Sequence, residues 1–192
     1  IPEEALKRII PGMRILDLCT GSGCILLTIL KEASVSGGGT DISPAALRMA
    51  ELNRKRLKAK AGWIESDLFE KVGGRFDMIL SNPPYIAAGV ISGLGPEVRD
   101  HEARPALRRG EDGLDFYRRI VREAPEYLKP GGWLCLEIGY DQGESLRSLL
   151  REAGFSSVEI IKDLAGLDRV AAGRPGAGPG AEEGRKVCLT KL

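Results

Sequence analysis

The chain lacks the features that define several large classes of protein. No stretch approaches the roughly 18 consecutive apolar residues of a membrane span, and Ile1-Pro2-Glu3-Glu4 has neither the basic nor the apolar region of a signal peptide. There is one histidine, and the four cysteines form no Cys-x-x-Cys pair, which argues against a disulfide framework or a zinc site. We therefore expect a soluble, cytoplasmic protein with reduced thiols and no metal.

The chain also lacks an excess of charge of either sign. It carries 28 Lys and Arg residues against 27 Asp and Glu residues, a net charge of +1. Such a balance offers no general electrostatic attraction for nucleic acid, so we expect no direct nucleic-acid binding. The 192 residues, 43% hydrophobic and 29% charged, are typical of one globular domain.

Short β-like apolar runs alternate with longer helical ones, which predicts an α/β fold with a parallel sheet covered by helices. The predicted strands are 14–18, 35–41, 63–66, 76–81, 133–138, 158–162 and 169–172, and the predicted helices are 23–31, 44–58, 115–128 and 143–153. Residues 84–111 form a long irregular segment of a kind that is usually functional. We expect one domain over 1–174 and a Gly/Pro-rich tail over 175–192, with a possible extra strand at 186–192.

The second strand has the weakest pattern, because Gly37-Gly38-Gly39 supplies no side chains to pack. Its prediction rests on the elements on either side. The helix after it has clearer signals, since Ser43 can cap it and Pro44 suits the first helical position.

A glycine-rich turn joins the first strand to the first helix, in the sequence Asp17-Leu18-Cys19-Thr20-Gly21-Ser22-Gly23. Gly21 and Gly23 allow the backbone to pass close to a ligand at the helix N-terminus. No Gly-Lys-Ser/Thr follows, as a P-loop needs, and the third glycine of the dinucleotide pattern is absent. Asp41 ends the second strand, where a carboxylate accepts hydrogen bonds from ribose hydroxyls. Together these features predict a nucleoside ligand.

Asp67 follows the third strand in the same row of strand ends. Its carboxylate could hydrogen-bond the adenine amine of such a ligand. It could equally cap a short helix over 68–72, and both roles are compatible.

Asn82-Pro83-Pro84-Tyr85 directly follows the fourth strand. The two prolines end the strand and remove two backbone donors, which leaves the carbonyls of Asn82 and Pro83 free to accept hydrogen bonds. The Asn82 side-chain oxygen and the Pro83 carbonyl can each accept one N–H of a planar NH2 group, on which the Tyr85 ring can pack. Such a turn indicates methyl transfer to nitrogen.

Acidic residues and glycines at these strand ends resemble the class I S-adenosylmethionine-dependent methyltransferases. The resemblance implies a Rossmann-like, seven-stranded, mostly parallel sheet with helices on both faces, and S-adenosyl-L-methionine as cofactor. It also implies that Asp17 and the loop flank the methionine part of the cofactor, that Asp41 binds the ribose, and that Asp67 with Leu68 binds the adenine. The loop residues concerned are Cys19, Thr20, Gly21, Ser22 and Gly23.

Several further motifs resemble the HemK/PrmC family, and they occur in the family's order. They are Asn82–Ile86, Glu97–Glu102, Pro105–Leu107, Gly110–Tyr117 and Lys162–Arg169. That family methylates the side-chain amide nitrogen (N5) of the glutamine in the Gly-Gly-Gln motif of peptide-chain release factors. The resemblance implies that Asn82, Pro83, Pro84 and Tyr85 clamp the substrate, that Asn82 also lies near the cofactor methyl, and that Glu97–Leu107 borders the glutamine entrance. The family also has an N-terminal helical domain, which we expect this chain to lack.

Two alternatives remain open from the sequence. The Asn-Pro-Pro-Tyr motif alone is also found in adenine N6-methyltransferases acting on DNA or RNA, although these need a basic groove and an unpaired base. A non-catalytic cofactor-binding module is the other alternative. His101 suggests acid/base chemistry, yet amide methylation needs no base, so we expect a structural role. We expect Arg99, Arg104, Arg108 and Arg109 to form a solvated face.

Overall fold

A computed structural model of the chain describes residues 1–84 and 112–176. The helices of this part are α1 (Pro2–Leu6), α2 (Cys24–Glu32), α3 (Pro44–Leu57), α4 (Asp115–Tyr127) and α5 (Gly143–Glu152). The strands are β1 (Arg14–Leu18), β2 (Ser36–Asp41), β3 (Ala61–Glu65), β4 (Phe76–Ser81), β5 (Leu128–Glu137), β6 (Phe155–Lys162) and β7 (Asp168–Pro175). Within these ranges no helix is both long enough and apolar enough to cross a membrane.

The strands form one sheet of seven in the order β3-β2-β1-β4-β5-β7-β6. The first five strands in this order run parallel to one another, whereas β7 runs antiparallel between β5 and β6. The chain order reverses between β1 and β4, and such a reversal opens a crevice at the carboxyl ends of the strands. The predicted fold class, a mostly parallel seven-stranded α/β sheet, is confirmed.

Side chains that alternate along the central strands supply two cores, one on each face of the sheet. Ile15 and Met78 pack on one face with residues of α1 and α2, while Leu16 and Ile79 pack on the other with residues of α4 and α5. Burial on both faces explains why these strands are apolar runs rather than alternating ones.

The glycine-rich second strand is confirmed, and close packing explains its composition. A Cβ at Gly37 would lie 2.8 Å from the Ile15 carbonyl oxygen, and one at Gly38 would lie 2.9 Å from the Gly62 carbonyl oxygen. Real Cβ atoms do not approach so closely, so neighbouring backbone takes the space that side chains would fill.

Most predicted boundaries agree with the structure within a few residues. Ser43 caps α3 as predicted, since its side chain accepts a hydrogen bond from the Ala46 amide at 3.3 Å. The fifth strand is longer than predicted, because residues 129–132, which precede the predicted strand, also belong to it. The register with β4 shifts there: Phe76 pairs with Leu128 and Met78 with Trp133, so a bulge absorbs the Pro-Gly-Gly segment.

Helix α1 was not predicted. It is only five residues long, too short for a clear helical period. Ala5 is fully buried against the sheet. Arg8, just after the helix, pairs with Glu4 and Glu159 and lies over the Trp133 ring, 4.9 Å from its centroid. The helix is therefore held by tertiary contacts rather than by its own sequence.

Several predictions fall outside the described residues. They concern Tyr85, the segment Glu97–Leu107, His101, the four arginines and the tail from residue 177 onward. Trp133 is 7% exposed and lies in the core.

Candidate active site

The two predicted halves of the site meet at the carboxyl ends of β1 and β4. These strands are neighbours, and Leu18 pairs with Ser81 at their ends. The Ser81 hydroxyl donates a hydrogen bond to the Leu18 carbonyl at 3.0 Å. Cys19 and Asn82, the next residue on each strand, consequently leave the sheet side by side. The structure thus brings the glycine-rich turn and the Asn-Pro-Pro turn together at the switch point of the sheet.

Asp41 holds the glycine-rich turn against the end of β2. Its Oδ2 atom accepts a hydrogen bond from the Gly21 amide at 2.9 Å, and its Oδ1 atom accepts one from the Ser43 amide at 2.8 Å. The Thr20 amide also donates to the Thr40 carbonyl at 2.9 Å. A carboxylate has about four acceptor positions, so Asp41 keeps capacity for the hydroxyls of a ligand.

The far side of the turn is fixed by α3 and by β3. The side-chain amide of Asn53 donates to the Ser22 carbonyl at 3.0 Å. Gly23 has φ +77°, and a Cβ there would lie 2.8 Å from the Trp63 ring, so only glycine fits. Gly23 caps α2 without a side-chain hydrogen bond. The amides of the first turn of α2 can therefore bind a negatively charged ligand group.

Asp17 is the most perturbed carboxyl group of the site. It is fully buried, and its Oδ2 atom accepts a hydrogen bond from the Thr20 hydroxyl at 2.6 Å. Its Oδ1 atom is buried without a hydrogen-bond partner of normal geometry among the described residues. Burial raises the pKa of Asp17 to about 7, against the opposing effects of the Thr20 hydroxyl and the Leu26 amide. An orphaned carboxyl oxygen of this kind suits a cationic or hydrogen-bond-donating ligand group.

Cys19 lies where three carboxyl groups converge. Cys19 has φ +54°, which is unusual for a residue other than glycine. The backbone at Cys19 is therefore strained in this tight turn. Burial raises the pKa of the thiol to about 12, and the carboxylates of Asp41, Asp17 and Asp67 contribute to the rise. The thiol is therefore protonated and unreactive.

Asp67 is engaged by a residue that the sequence pattern did not indicate. Its carboxylate pairs with Arg119 of α4 at 3.0 Å. Residues 68–71 form a turn rather than the short helix that the capping alternative supposed. Leu68 has φ +49° and its side chain is 3% exposed in the core, so any contact with a ligand would come from its backbone.

The acceptor half of the site is one continuous segment, residues 82–84, directly after β4. Asn82 is exposed beyond the end of β4, Pro83 is buried, and Pro84 is half-buried. The burial of Pro83 anchors the turn, while the exposure of Asn82 leaves its amide available to a substrate. These positions are compatible with the predicted clamp for a planar NH2 group, which stays a prediction.

Sequence reasoning missed Ser81, Asn53 and Arg119, which all contact the predicted site residues. Strand order or helix packing brings each of these residues to the site. Strand order and helix packing cannot be read from the local sequence. Only Ser81 left a signal, as a hydroxyl at the buried end of an apolar strand.

A surface groove of about 520 Å³ lies at the β3 edge of the sheet. It is lined by Pro44, Leu47, Arg48, Glu51, Leu52, Trp63 and Glu65. Two strands, β2 and β1, separate β3 from β4, so the groove lies apart from Asn82.

Several known proteins are similar to this chain. Residues 4–93 match the family profile described as Methyltransferase small domain. A Geobacter sulfurreducens protein named release factor glutamine methyltransferase is 45% identical over 178 residues, which are 92% of this chain and 63% of that protein. A Cereibacter sphaeroides protein of the same name is 48% identical over 168 residues, 85% of this chain and 60% of that protein. The chain thus spans about three fifths of the length of these relatives.

A crystal structure of a methyltransferase from Pyrococcus furiosus has a similar fold. The TM-score is 0.71 at 21% identity, with 92% of this chain and 83% of that chain covered. This likeness shows that the two chains share the fold.

Proposed function

We propose that this chain belongs to the family of the release factor glutamine methyltransferases, two of which are 45% and 48% identical to it. It would then transfer a methyl group from S-adenosylmethionine to the side-chain amide nitrogen of a release-factor glutamine. The observation that carries the proposal is the pairing of Leu18 with Ser81. It sets the glycine-rich turn, which would bind the nucleoside, beside the Asn-Pro-Pro turn, which would clamp the amide.

The residues of the turn fit the cofactor. Asp41 would accept hydrogen bonds from the ribose hydroxyls, and the first-turn amides of α2 together with the buried Oδ1 of Asp17 would hold the charged methionine groups. Asp67 and Leu68 would border the adenine. When bound, S-adenosylmethionine supplies a methyl group activated by the positive sulfonium sulfur.

The acceptor turn would supply orientation and electrostatic support. An amide nitrogen is a poor nucleophile, because its lone pair is delocalised into the carbonyl group. The Asn82 side-chain oxygen and the Pro83 carbonyl would each accept one N–H and so fix the nitrogen in line for attack. The same two oxygens would stabilise the positive charge that develops on the nitrogen. Tyr85 would pack on the amide plane.

No strong general base is needed at this site. The nitrogen becomes acidic as it gains the methyl group, so its proton can pass to solvent afterwards. The cytoplasmic location expected from the sequence stays a prediction.

The test is transfer of a labelled methyl group from S-adenosylmethionine to a purified release factor. We expect labelling of the wild-type release factor and none when the glutamine of its Gly-Gly-Gln motif is replaced by asparagine. Equal labelling of the two substrates would contradict the proposed acceptor.

Among residues 1–84 and 112–176, no structural observation favours the adenine alternative. The relatives described above carry names that specify glutamine, whereas the Asn-Pro-Pro turn is compatible with both amines. The same labelling reaction with single-stranded DNA or RNA as substrate tests the adenine alternative. Label in nucleic acid without label in release factor would favour that alternative over the proposed function. A folded chain that fails to bind S-adenosylmethionine in a calorimeter would instead indicate a non-catalytic module.

A further inference from the structure

Gly39 and Thr20 lie against each other beside the buried carboxyl of Asp17. Gly39 of β2 pairs directly with Asp17 of β1 in the parallel register. Neighbouring residues in such a pair point to the same face of the sheet. Because Gly39 has no side chain, the space beside Asp17 is left open, and the Thr20 side chain folds back into it.

The fit between these two residues is too close for any other residue at position 39. A Cβ at Gly39 would lie 2.7 Å from the Thr20 hydroxyl oxygen, 2.8 Å from its Cβ and 3.0 Å from its methyl carbon. Unlike the end of a long side chain, these atoms cannot swing away. Thr20 is 5% exposed and is bound through its backbone at both ends.

Thr20 connects this contact to the turn that would receive the cofactor. Its hydroxyl donates to Asp17 at 2.6 Å, its amide donates to the Thr40 carbonyl at 2.9 Å, and its carbonyl accepts from the Gly23 amide at 2.8 Å. The next residue, Gly21, donates to Asp41. A displacement of Thr20 would therefore move the turn and break the hydrogen bond to a buried carboxyl.

We propose that Gly39 and Thr20 are a pair of positioning residues, in which the missing side chain of Gly39 lets Thr20 hold both the Asp17 carboxyl and the cofactor turn in place. The inference deepens the proposed function and rests on it for the identity of the ligand. It also gives a role to the glycine at the end of the Gly37-Gly38-Gly39 run. Both residues are buried, so we assign them a positioning role and no contact with the reacting atoms.

The pKa of Asp17 in the ligand-free chain depends directly on its hydrogen bond from Thr20. The Thr20 hydroxyl stabilises the ionised carboxyl and so lowers its pKa, against burial and the nearby Asp41 carboxylate. The other titratable group that adjoins them is the Cys19 thiol, which is protonated. Loss of the Thr20 hydrogen bond should therefore raise the pKa of Asp17 further.

The first experiment measures the affinity for S-adenosylhomocysteine by calorimetry. We expect Gly39→Ala to weaken binding by at least about 10-fold, and Thr20→Val, which keeps the size and removes the hydroxyl, by about 5-fold, as one hydrogen bond of about 1 kcal/mol implies. Two matched changes serve as controls: Gly62→Ala in β3, where a Cβ meets nothing within 4 Å, and Thr28→Val in α2, where the threonine is exposed. Both controls should stay within about 2-fold of wild type.

The second experiment titrates the Asp17 carboxyl carbon by NMR without ligand, in wild type, Thr20→Val and Thr28→Val. We expect a higher midpoint in Thr20→Val alone. Unchanged affinity in Gly39→Ala and Thr20→Val, or an unchanged Asp17 midpoint in Thr20→Val, would overturn the positioning pair. If Gly39→Ala does not fold, Thr20→Val decides. Failure of the wild-type chain to bind the nucleoside would refute the proposed cofactor instead, while the titration would still decide whether Thr20 holds Asp17.

Discussion

The two halves of the candidate site are built in different ways. The cofactor half is a set of buried polar contacts between separate elements, in which Asp17, Thr20 and Asp41 tie the turn to the ends of β1 and β2. The acceptor half is a local feature of the chain, in which two prolines set the path of a turn whose first residue, Asn82, is exposed. Tertiary contacts thus hold the cofactor half in place, whereas the restricted backbone of two prolines holds the acceptor half.

This difference implies different consequences of mutation. A change in the cofactor half should alter binding of the nucleoside or the stability of the sheet, because its side chains bind each other as well as the ligand. A change at Asn82 should alter the transfer step with little effect on the fold. The predictions below test this separation.

The largest effect is expected for Asn82→Ala. Removal of one acceptor for the developing charge should lower the rate of methyl transfer about 100-fold to 1,000-fold. The matched variant Asn53→Ala removes a similar side chain from the cofactor half, where it binds the Ser22 carbonyl. It should weaken cofactor binding while leaving the rate at saturating cofactor within about 3-fold. Single-turnover methyl transfer measures both, and undiminished transfer by Asn82→Ala would refute the clamp.

Asp41→Asn should weaken binding of S-adenosylhomocysteine about 10-fold to 100-fold, because hydrogen bonds to a charged group contribute about 1.5–3 kcal/mol. Glu65→Gln is a matched control, since Glu65 pairs with Asp41 on the neighbouring strand and is exposed. Calorimetry on both variants makes the comparison. Equal losses in the two variants would show that Asp41 has no specific role.

Many features of the two halves could be predicted from the sequence. The local features were predictable, whereas the features that depend on tertiary contacts were not. The Asn-Pro-Pro turn and the strand before it follow from neighbouring residues, and β4 has the predicted bounds, Phe76–Ser81. The adjacency of Cys19 and Asn82 could be predicted only through the strand order of the fold class. The ion pair of Asp67 with Arg119 could not be predicted, because helix packing brings the two residues together from distant parts of the chain.

Asp17→Asn should stabilise the chain at pH 8 by about 1–3 kcal/mol. At this pH the wild-type chain buries an ionised carboxyl group, and its raised pKa corresponds to a cost of about 1.36 kcal/mol per pKa unit. The buried amide of the variant has no matching hydrogen-bond partner, which offsets part of the gain. The folded-state pKa is raised to about 7, so the folded chain binds more protons than the unfolded chain between about pH 4 and pH 7. Wild-type stability should therefore fall as the pH rises through this window, and the variant should lack that fall. Urea unfolding at several pH values measures it.

Asp77→Asn is the control of opposite sign. Its burial is outweighed by the hydrogen bonds from Lys129 and the Arg14 amide, so the pKa of Asp77 is lowered. Its contribution is present above the unfolded pKa and lost as the pH falls, and the variant should be destabilised at pH 8 by about 1 kcal/mol. A destabilised Asp17→Asn at pH 8 would contradict the raised pKa of the buried carboxyl.

The smallest expected effect concerns the thiols. Cys24 is exposed, whereas burial raises the pKa of Cys19 to about 12. Because the thiolate is the reactive form, iodoacetamide at pH 8 should modify Cys24 at least about 10-fold faster than Cys19. Peptide mapping by mass spectrometry gives both rates. Faster modification of Cys19 would mean that the turn opens readily and is not preorganised.

The most direct test of the central claim, that the two halves form one centre, is a crystal structure of the chain with S-adenosylhomocysteine. We expect the ribose hydroxyls on Asp41, the amino-acid group at the first turn of α2, and the sulfur directed towards Asn82. A nucleoside bound instead in the groove between α3 and β3, or a sulfur directed away from Asn82, would contradict it.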